Sequence, residues 1–159
     1  MEPTVTTAKA AEIVGIGYEG LRSYLKRGLL GRSGISLPLV ASDAPAPDLS
    51  NARSKWKRFG YTDLCLMRLA KQLIDLGLSF DQANGIASNE DVRRIFNARK
   101  SEGDAVLLAW PPYFDFIIFR QEDLRHLPDR LADAGDSAVL VQIGRTCQQI
   151  RDAFDQALE

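Results

Sequence analysis

The chain has 159 residues and a net charge of −1, so its overall charge favours neither an acidic nor a basic partner. The two cysteines, Cys65 and Cys147, lie far apart in the sequence with no other ligands beside them, which argues against metal sensing by clustered thiols. The single histidine, His126, gives little support to a catalytic role. The sequence has no membrane-length apolar run, no secretion signal and no glycine-rich phosphate loop, so we expect a cytoplasmic protein that is no enzyme and needs no cofactor or metal.

The charge is distributed unevenly along the chain. Residues 1–60 hold nine Lys and Arg against five Asp and Glu, which gives +4. Residues 61–102 are balanced with six of each, and residues 103–159 hold five against ten, which gives −5. A basic segment attracts phosphate and an acidic one repels it, so any contact with nucleic acid is expected near the beginning of the chain.

Residues 7–30 are predicted to form two short helices joined by a glycine turn. Thr6 or Thr7 can cap the first helix, because a hydroxyl oxygen accepts from free N–H groups of the first turn. Gly15 is predicted to end the first helix and Gly28 the second, since glycine readily takes the left-handed conformation that follows a helix.

The second predicted helix begins near Tyr18 and has two faces. Leu21 and Leu25 lie four residues apart on the inner face, and Arg22 and Lys26 lie four apart on a neighbouring one. This is the layout of a helix-turn-helix, in which the second helix enters the DNA major groove. An ordinary helical hairpin with a solvated basic face is the alternative for this segment.

Three segments in order carry a resemblance to a known family. The first runs through Gly15-Ile16, Leu21-Arg22, Tyr24 and Gly28-Leu29-Leu30; the second is Lys57-Arg-Phe-Gly-Tyr-Thr-Asp-Leu64; the third is Leu73-Ile-Asp-Leu-Gly-Leu-Ser-Phe-Asp-Gln-Ala83. Together they resemble the mercury-resistance-regulator (MerR) family of winged helix-turn-helix proteins, over residues 5 to 86.

The resemblance implies roles for individual residues. Arg22 would lie in the major groove, Tyr24 would bond a phosphate, Tyr18 and Glu19 would lie near base edges, and Arg58 would grip phosphates from the wing. With the neighbouring basic side chains, the expected DNA-binding set is Tyr18, Glu19, Arg22, Tyr24, Lys26, Arg27, Lys55, Lys57 and Arg58.

The chain departs from the family pattern at several positions. Gly20, Ser23 and Phe59 replace a hydroxyl residue, an aromatic and a tyrosine, and Gly20 weakens a helix by about 1 kcal/mol relative to alanine. The wing is much longer than usual. Residues 33–54 contain three prolines and little periodicity, so they are predicted to form a long mobile loop.

The middle of the chain is predicted to be helical. A third helix and the corner after it would bury one set of apolar residues in the core: Leu64, Met67, Leu69, Leu73, Leu76, Leu78 and Phe80. A connecting helix in residues 87–102 would be capped by Asn89 and would bury Val92, Ile95 and Phe96. Cys65 is expected to be a buried small apolar residue.

Residues 103–159 are predicted to form a small α/β module without a recognised family. Apolar runs at 105–110, 114–119 and 138–143 predict three strands, a short helix lies near 122–127, and a closing amphipathic helix spans 146–158. This module lacks the long coiled-coil helix that pairs subunits in MerR-like proteins.

Together the patterns predict a mainly α fold with a small α/β part: a winged helix-turn-helix in residues 1–86, the connecting helix, and a dimerisation or effector module in 103–159. The expected function is sequence-specific binding of double-stranded promoter DNA by a homodimer on the nucleoid, in transcriptional regulation. Two alternatives remain open. One is a sensor of a small molecule or protein, whose binding surface would consist of Trp110, Tyr113, Phe114 and Phe116. These four residues could instead belong to the hydrophobic core and the dimer interface. The other alternative is an architectural or recombination accessory protein.

Overall fold

A computed structural model of the chain describes residues 3–30, 58–98 and 105–158. Within them, seven α-helices surround one apolar core, and the only larger sheet has three antiparallel strands. The predicted mainly helical fold with a small sheet is therefore confirmed, whereas the winged helix-turn-helix assignment stays a prediction. The predicted wing loop at 33–54 lies outside the described residues.

The first two helices begin and end where the sequence indicates. A short strand β1 (Val5–Thr6) leads into α1 (Thr7–Val14), and the Thr6 hydroxyl oxygen accepts a hydrogen bond from the Lys9 N–H at 3.3 Å. Gly15 ends α1 with a φ of 85°, a conformation that costs any residue with a Cβ. After a two-residue link, α2 spans Tyr18–Lys26.

The third helix runs through the centre of the core. Strand β2 (Arg58–Phe59) pairs antiparallel with β1 and leads directly into α3 (Tyr61–Asp75). Most of α3 is buried, including Leu64, Met67 and Leu73 as predicted. The placement of Leu76 in the core is wrong: the helix ends at Asp75, and Leu76 follows it with 51% of its surface exposed.

Two shorter helices follow. Ser79 caps α4 (Phe80–Ala87) by accepting from the Gln82 N–H, and Asn89 caps α5 (Glu90–Ala98) by accepting from the Asp91 N–H. Val92 and Phe96 are buried as predicted, whereas Ile95 is only half-buried. Helix α5 lies within the predicted connecting helix, whose last residues fall outside the described ones.

The remaining elements form the sheet and its coverings. Strand β3 (Ala105–Ala109) lies between β4 (Phe116–Arg120) and β5 (Val139–Gln142), and both pairings are antiparallel. Between β4 and β5 run a 3₁₀ turn (Gln121–His126), helix α6 (Leu127–Leu131) and another 3₁₀ turn (Ala132–Ala134). Helix α7 (Ile143–Leu158) is the last element, and it begins earlier than the predicted start at residue 146.

Helix α7 packs against α3 as well as against the sheet. Ile150 and Phe154 belong to the same apolar cluster as Leu64 and Leu21. The Tyr61 hydroxyl donates to the Cys147 carbonyl at 3.2 Å, and the Thr146 hydroxyl lies 3.0 Å from the Gln72 side-chain oxygen. The first and second halves of the described chain thus share a core, whatever domain boundary the sequence suggests.

Candidate nucleic-acid interface

Helix α2 has one buried face and one polar, solvent-exposed face. Leu21 is fully buried and Leu25 is 7% exposed, so the inner face is fixed against the core. Tyr18 is 44% exposed at the beginning of the helix, and Glu19 and Lys26 are exposed as well. A helix held along one side in this way presents its outer side chains to any ligand without moving its backbone.

Arg22 makes two loose contacts at the beginning of α2. Its guanidinium lies 5.7 Å from the centre of the Tyr18 ring and 3.6 Å from a carboxylate oxygen of Glu19. The Arg22 side chain is 41% exposed and that of Glu19 is 82% exposed, so water competes for both contacts. Exposed ion pairs of this kind contribute about 0–1 kcal/mol, so the guanidinium can exchange Glu19 for a phosphate or a guanine edge at little cost.

The aromatic ring of Phe80 supports the end of α2. Its ring stacks on that of Tyr24 with centroids 5.1 Å apart, and the Arg27 guanidinium carbon lies 4.1 Å from its centre. Phe80 is only 7% exposed and begins α4, whose N-terminus is closed by the reciprocal bonds between Ser79 and Gln82. The stack therefore fixes Tyr24 and Arg27 on a rigid element.

Phe80 is buried as predicted, but the sequence does not predict its contacts with Tyr24 and Arg27. The reason is distance along the chain, because no local pattern connects Phe80 with Tyr24. Tyr24 itself is half-buried through its ring, and its hydroxyl makes no hydrogen bond to any described residue. That hydroxyl remains available to an acceptor.

Asn84 fixes the turn that follows α2. Its amide nitrogen donates to the Gly28 carbonyl, and its amide oxygen accepts from the Leu30 N–H, both at 2.9 Å. No local sequence pattern indicates this contact. It ties the basic end of α2 to α4, the helix that also carries Phe80.

Arg58 lies on β2, apart from α2. Its Nε donates to the Thr4 hydroxyl at 3.0 Å and its Nη2 donates to the Thr4 carbonyl at 2.8 Å. Two of the five guanidinium N–H groups are thereby engaged, and the exposed side chain keeps others for a phosphate. Lys55 and Lys57, the other predicted wing contacts, lie outside the described residues.

The aromatic turn of the second half is partly exposed. Phe114 is 84% exposed, whereas Trp110, Tyr113 and Phe116 are half-buried. The turn touches α4, since the Gln82 side-chain nitrogen donates to the Pro112 carbonyl at 3.3 Å. It is therefore connected to the helix that supports Tyr24 and Arg27.

A cavity of about 590 Å³ lies between β4 and the segment that follows it. Its polar lining includes Asp123, His126, Asp129 and Asp133 together with Arg130. Within the part of the chain that the structure describes, no three His, Cys, Asp or Glu side chains form a metal-binding group.

Cys65, Cys147 and Tyr61 form a buried polar cluster between α3 and α7. Cys65 is fully buried and Cys147 is 5% exposed. Burial raises the pKa of the Cys65 thiol and that of the Tyr61 phenol well above their usual values, and the neighbouring Cys147 thiol acts in the same direction. Both groups therefore stay protonated and serve packing, as expected for Cys65.

No helix among the described residues combines the length and the apolar character needed to cross a membrane. No protein-family model matches the chain, and a comparison with curated proteins finds no match.

Proposed function

We propose that the protein is a transcriptional regulator that binds double-stranded promoter DNA in a sequence-specific way, as a homodimer in the cytoplasm on the nucleoid. The observation that carries this proposal is the outer face of α2. It presents Tyr18, Glu19, Arg22 and Lys26 from a helix whose other face is fixed by Leu21. A single helix fits the major groove, and arginine is the residue that most often reads guanine there.

The surroundings of α2 support the same proposal. The stack on Phe80 holds Arg27 and Tyr24 at the end of the helix, where a cation and a hydroxyl group suit phosphate oxygens. Arg58 adds a second exposed cation from a different element. Contacts to phosphate position a protein on the duplex, and the beginning of α2 then supplies the base contacts.

The homodimer follows from the amount of sequence that one helix can read. One recognition helix contacts only a few base pairs, which is too little to select a promoter among many competing sites. Two copies related by a two-fold axis read a palindrome. The free energies by which the two half-sites are distinguished from other sequences then add together.

The first experiment incubates the full chain with sheared DNA from its own genome and sequences the retained fragments. The matched variant is Arg22→Ala, which removes an exposed side chain and leaves Leu21 and Leu25 in place. A small set of palindromic promoter sites that the variant loses would support the proposal. Diffuse enrichment that the variant keeps would contradict it and would favour an architectural DNA-binding role.

A second candidate function is regulation through a ligand or protein bound at the aromatic turn. The specific observation is Phe114, which is 84% exposed on a turn that Gln82 joins to α4. A partner that covers Phe114 would contact the helix that supports Tyr24 and Arg27. A ligand-dependent rise in melting temperature that is lost in Phe114→Ala would support this candidate.

A further inference from the structure

Two exposed leucines line one groove on the side of the molecule formed by α3, β5 and α7. Leu76 is 51% exposed and Leu140 is 44% exposed, and both border a depression of about 340 Å³. Single exposed apolar residues are common, but neighbouring ones on a concave surface are typical of a contact with another protein.

The same groove is bordered by one acidic and one basic side chain. Asp75 lies on its border with a side chain 60% exposed, and its only ion pair among the described residues is with Lys71 of its own helix at 2.6 Å. Arg145 lies on the border too, is exposed, and makes no ion pair with any described residue. In a two-fold contact each patch meets its own copy, so an acid and a base in one patch form two identical ion pairs.

Strand β5 adds an unprotected edge beside this groove. Within the described chain its only sheet neighbour is β3, and its sequence Val139–Gln142 has neither a charge nor a proline. Charged residues and prolines normally block association at a strand edge. The opposite edge of the sheet, β4, ends in the exposed Arg120. The β5 side is therefore the more suitable one for association.

From these observations we infer that a second copy of this chain docks on the groove. The contact buries Leu76 and Leu140 and pairs Arg145 with the partner subunit's Asp75 on both sides of the axis. The inference rests on the homodimer of the proposed function and assigns a surface to it.

The test measures the mass of the full chain in solution without DNA, by light scattering over a range of concentrations. The expected mass is twice the 17.6 kDa of one chain. Leu76→Glu and Leu140→Glu should each yield a monomer with an unchanged circular dichroism spectrum, because both side chains are exposed. Leu131→Glu changes an equally exposed leucine, 41% accessible, outside the groove and should remain a dimer.

A charge exchange tests the pairing itself. Asp75→Arg and Arg145→Asp should each raise the dimer dissociation constant by about tenfold or more, since each change places like charges opposite each other twice. The double variant should return most of the affinity. A monomeric wild type, a dimer that Leu140→Glu leaves intact, or a double variant weaker than both single ones would overturn the inference.

Failure of this inference can be told apart from failure of the proposed function. Arg22→Ala leaves the groove untouched and should still dimerise. A stable dimer without affinity for promoter DNA would refute the function and support the interface. Promoter binding by a protein that is monomeric without DNA would support the function and refute the interface.

Discussion

The side chain of Asn84 holds the backbone of Leu30 in a conformation that leucine rarely adopts. Leu30 has a φ of 64°, and its N–H donates to the Asn84 amide oxygen at 2.9 Å. The Asn84 amide nitrogen bonds the Gly28 carbonyl in the same turn. Leu30 is 3% exposed, so the unusual backbone allows its side chain to enter the core immediately after α2.

Asn84→Asp should therefore destabilise the protein. The substitution removes the donor to the Gly28 carbonyl and places a negative charge beside it, which we expect to lower the free energy of unfolding by about 1–3 kcal/mol. Chemical denaturation measures this. Asn89→Asp is the matched control, because Asn89 only accepts from a backbone N–H and aspartate caps a helix equally well. Equal losses in both variants would contradict the role of Asn84.

Two glycine-to-alanine changes should shift the melting temperature in opposite directions. At Gly15 the φ of 85° is unfavourable for alanine, and a Cβ would lie 3.1 Å from Nη1 of Arg68, which donates to the Val14 carbonyl at 2.7 Å. We expect Gly15→Ala to cost about 1–2 kcal/mol. Gly20 lies inside α2, where a Cβ would meet only Ile16 at 3.4 Å, so Gly20→Ala should gain up to about 1 kcal/mol. Shifts of the same sign would contradict this assignment.

Arg58→Ala should weaken binding to all DNA sequences to a similar degree. If the exposed guanidinium neutralises one phosphate, its loss lowers the slope of log affinity against log salt by about one unit. Fluorescence anisotropy at several salt concentrations measures both effects. Arg94→Ala is the control, since Arg94 is exposed and pairs with Asp91 on α5 at 3.1 Å. A sequence-dependent loss in Arg58→Ala would instead indicate a base contact.

The two thiols should be unreactive in the folded protein. Burial raises the pKa of Cys65 and protects Cys147, so a thiol reagent at pH 8 should modify neither residue until denaturant is added. After unfolding, both of the two cysteines in the chain should react. Rapid modification of the native protein would show that α7 separates from α3.

The same cluster predicts a loss of stability at alkaline pH. In the unfolded chain Cys65 and Tyr61 ionise at their usual values of about 8.5 and 10, whereas the raised pKa values keep them protonated in the folded state. The unfolded state therefore binds fewer protons above those values, and stability falls as the pH rises. Tyr61→Phe should make the fall shallower above pH 10, as measured by denaturation at each pH.

Local signals were sufficient to predict the first three helices and the three strands of the larger sheet, but not the short pair of β1 with β2. The caps at Thr6 and Asn89, the glycine at position 15 and the apolar runs of the sheet each act over a few residues, so the sequence shows them directly. Leu76 was misplaced because helical spacing continues past the point at which α3 ends.

The long-range contacts of the core and of the candidate site were not predictable in this way. Asn84 with Leu30, Phe80 with Tyr24, and Tyr61 with Cys147 all join residues far apart in the sequence. Their residue types are ordinary for helices and cores, so only the packed structure identifies their partners. The outward-facing residues of α2 were predictable because the helical repeat of 3.6 residues places them on a different face from Leu21 and Leu25.

The packing of α7 into the core has a genetic consequence. A nonsense or frameshift mutation ahead of residue 143 would leave α1, α2 and α3 encoded but would remove Ile150 and Phe154 from the cluster that α3 needs. Such a product exposes apolar surface and is a substrate for proteases, so it does not persist as a competitor for the wild-type protein. Truncation alleles should therefore be recessive losses of function, and interference with the wild-type copy should come only from full-length missense variants.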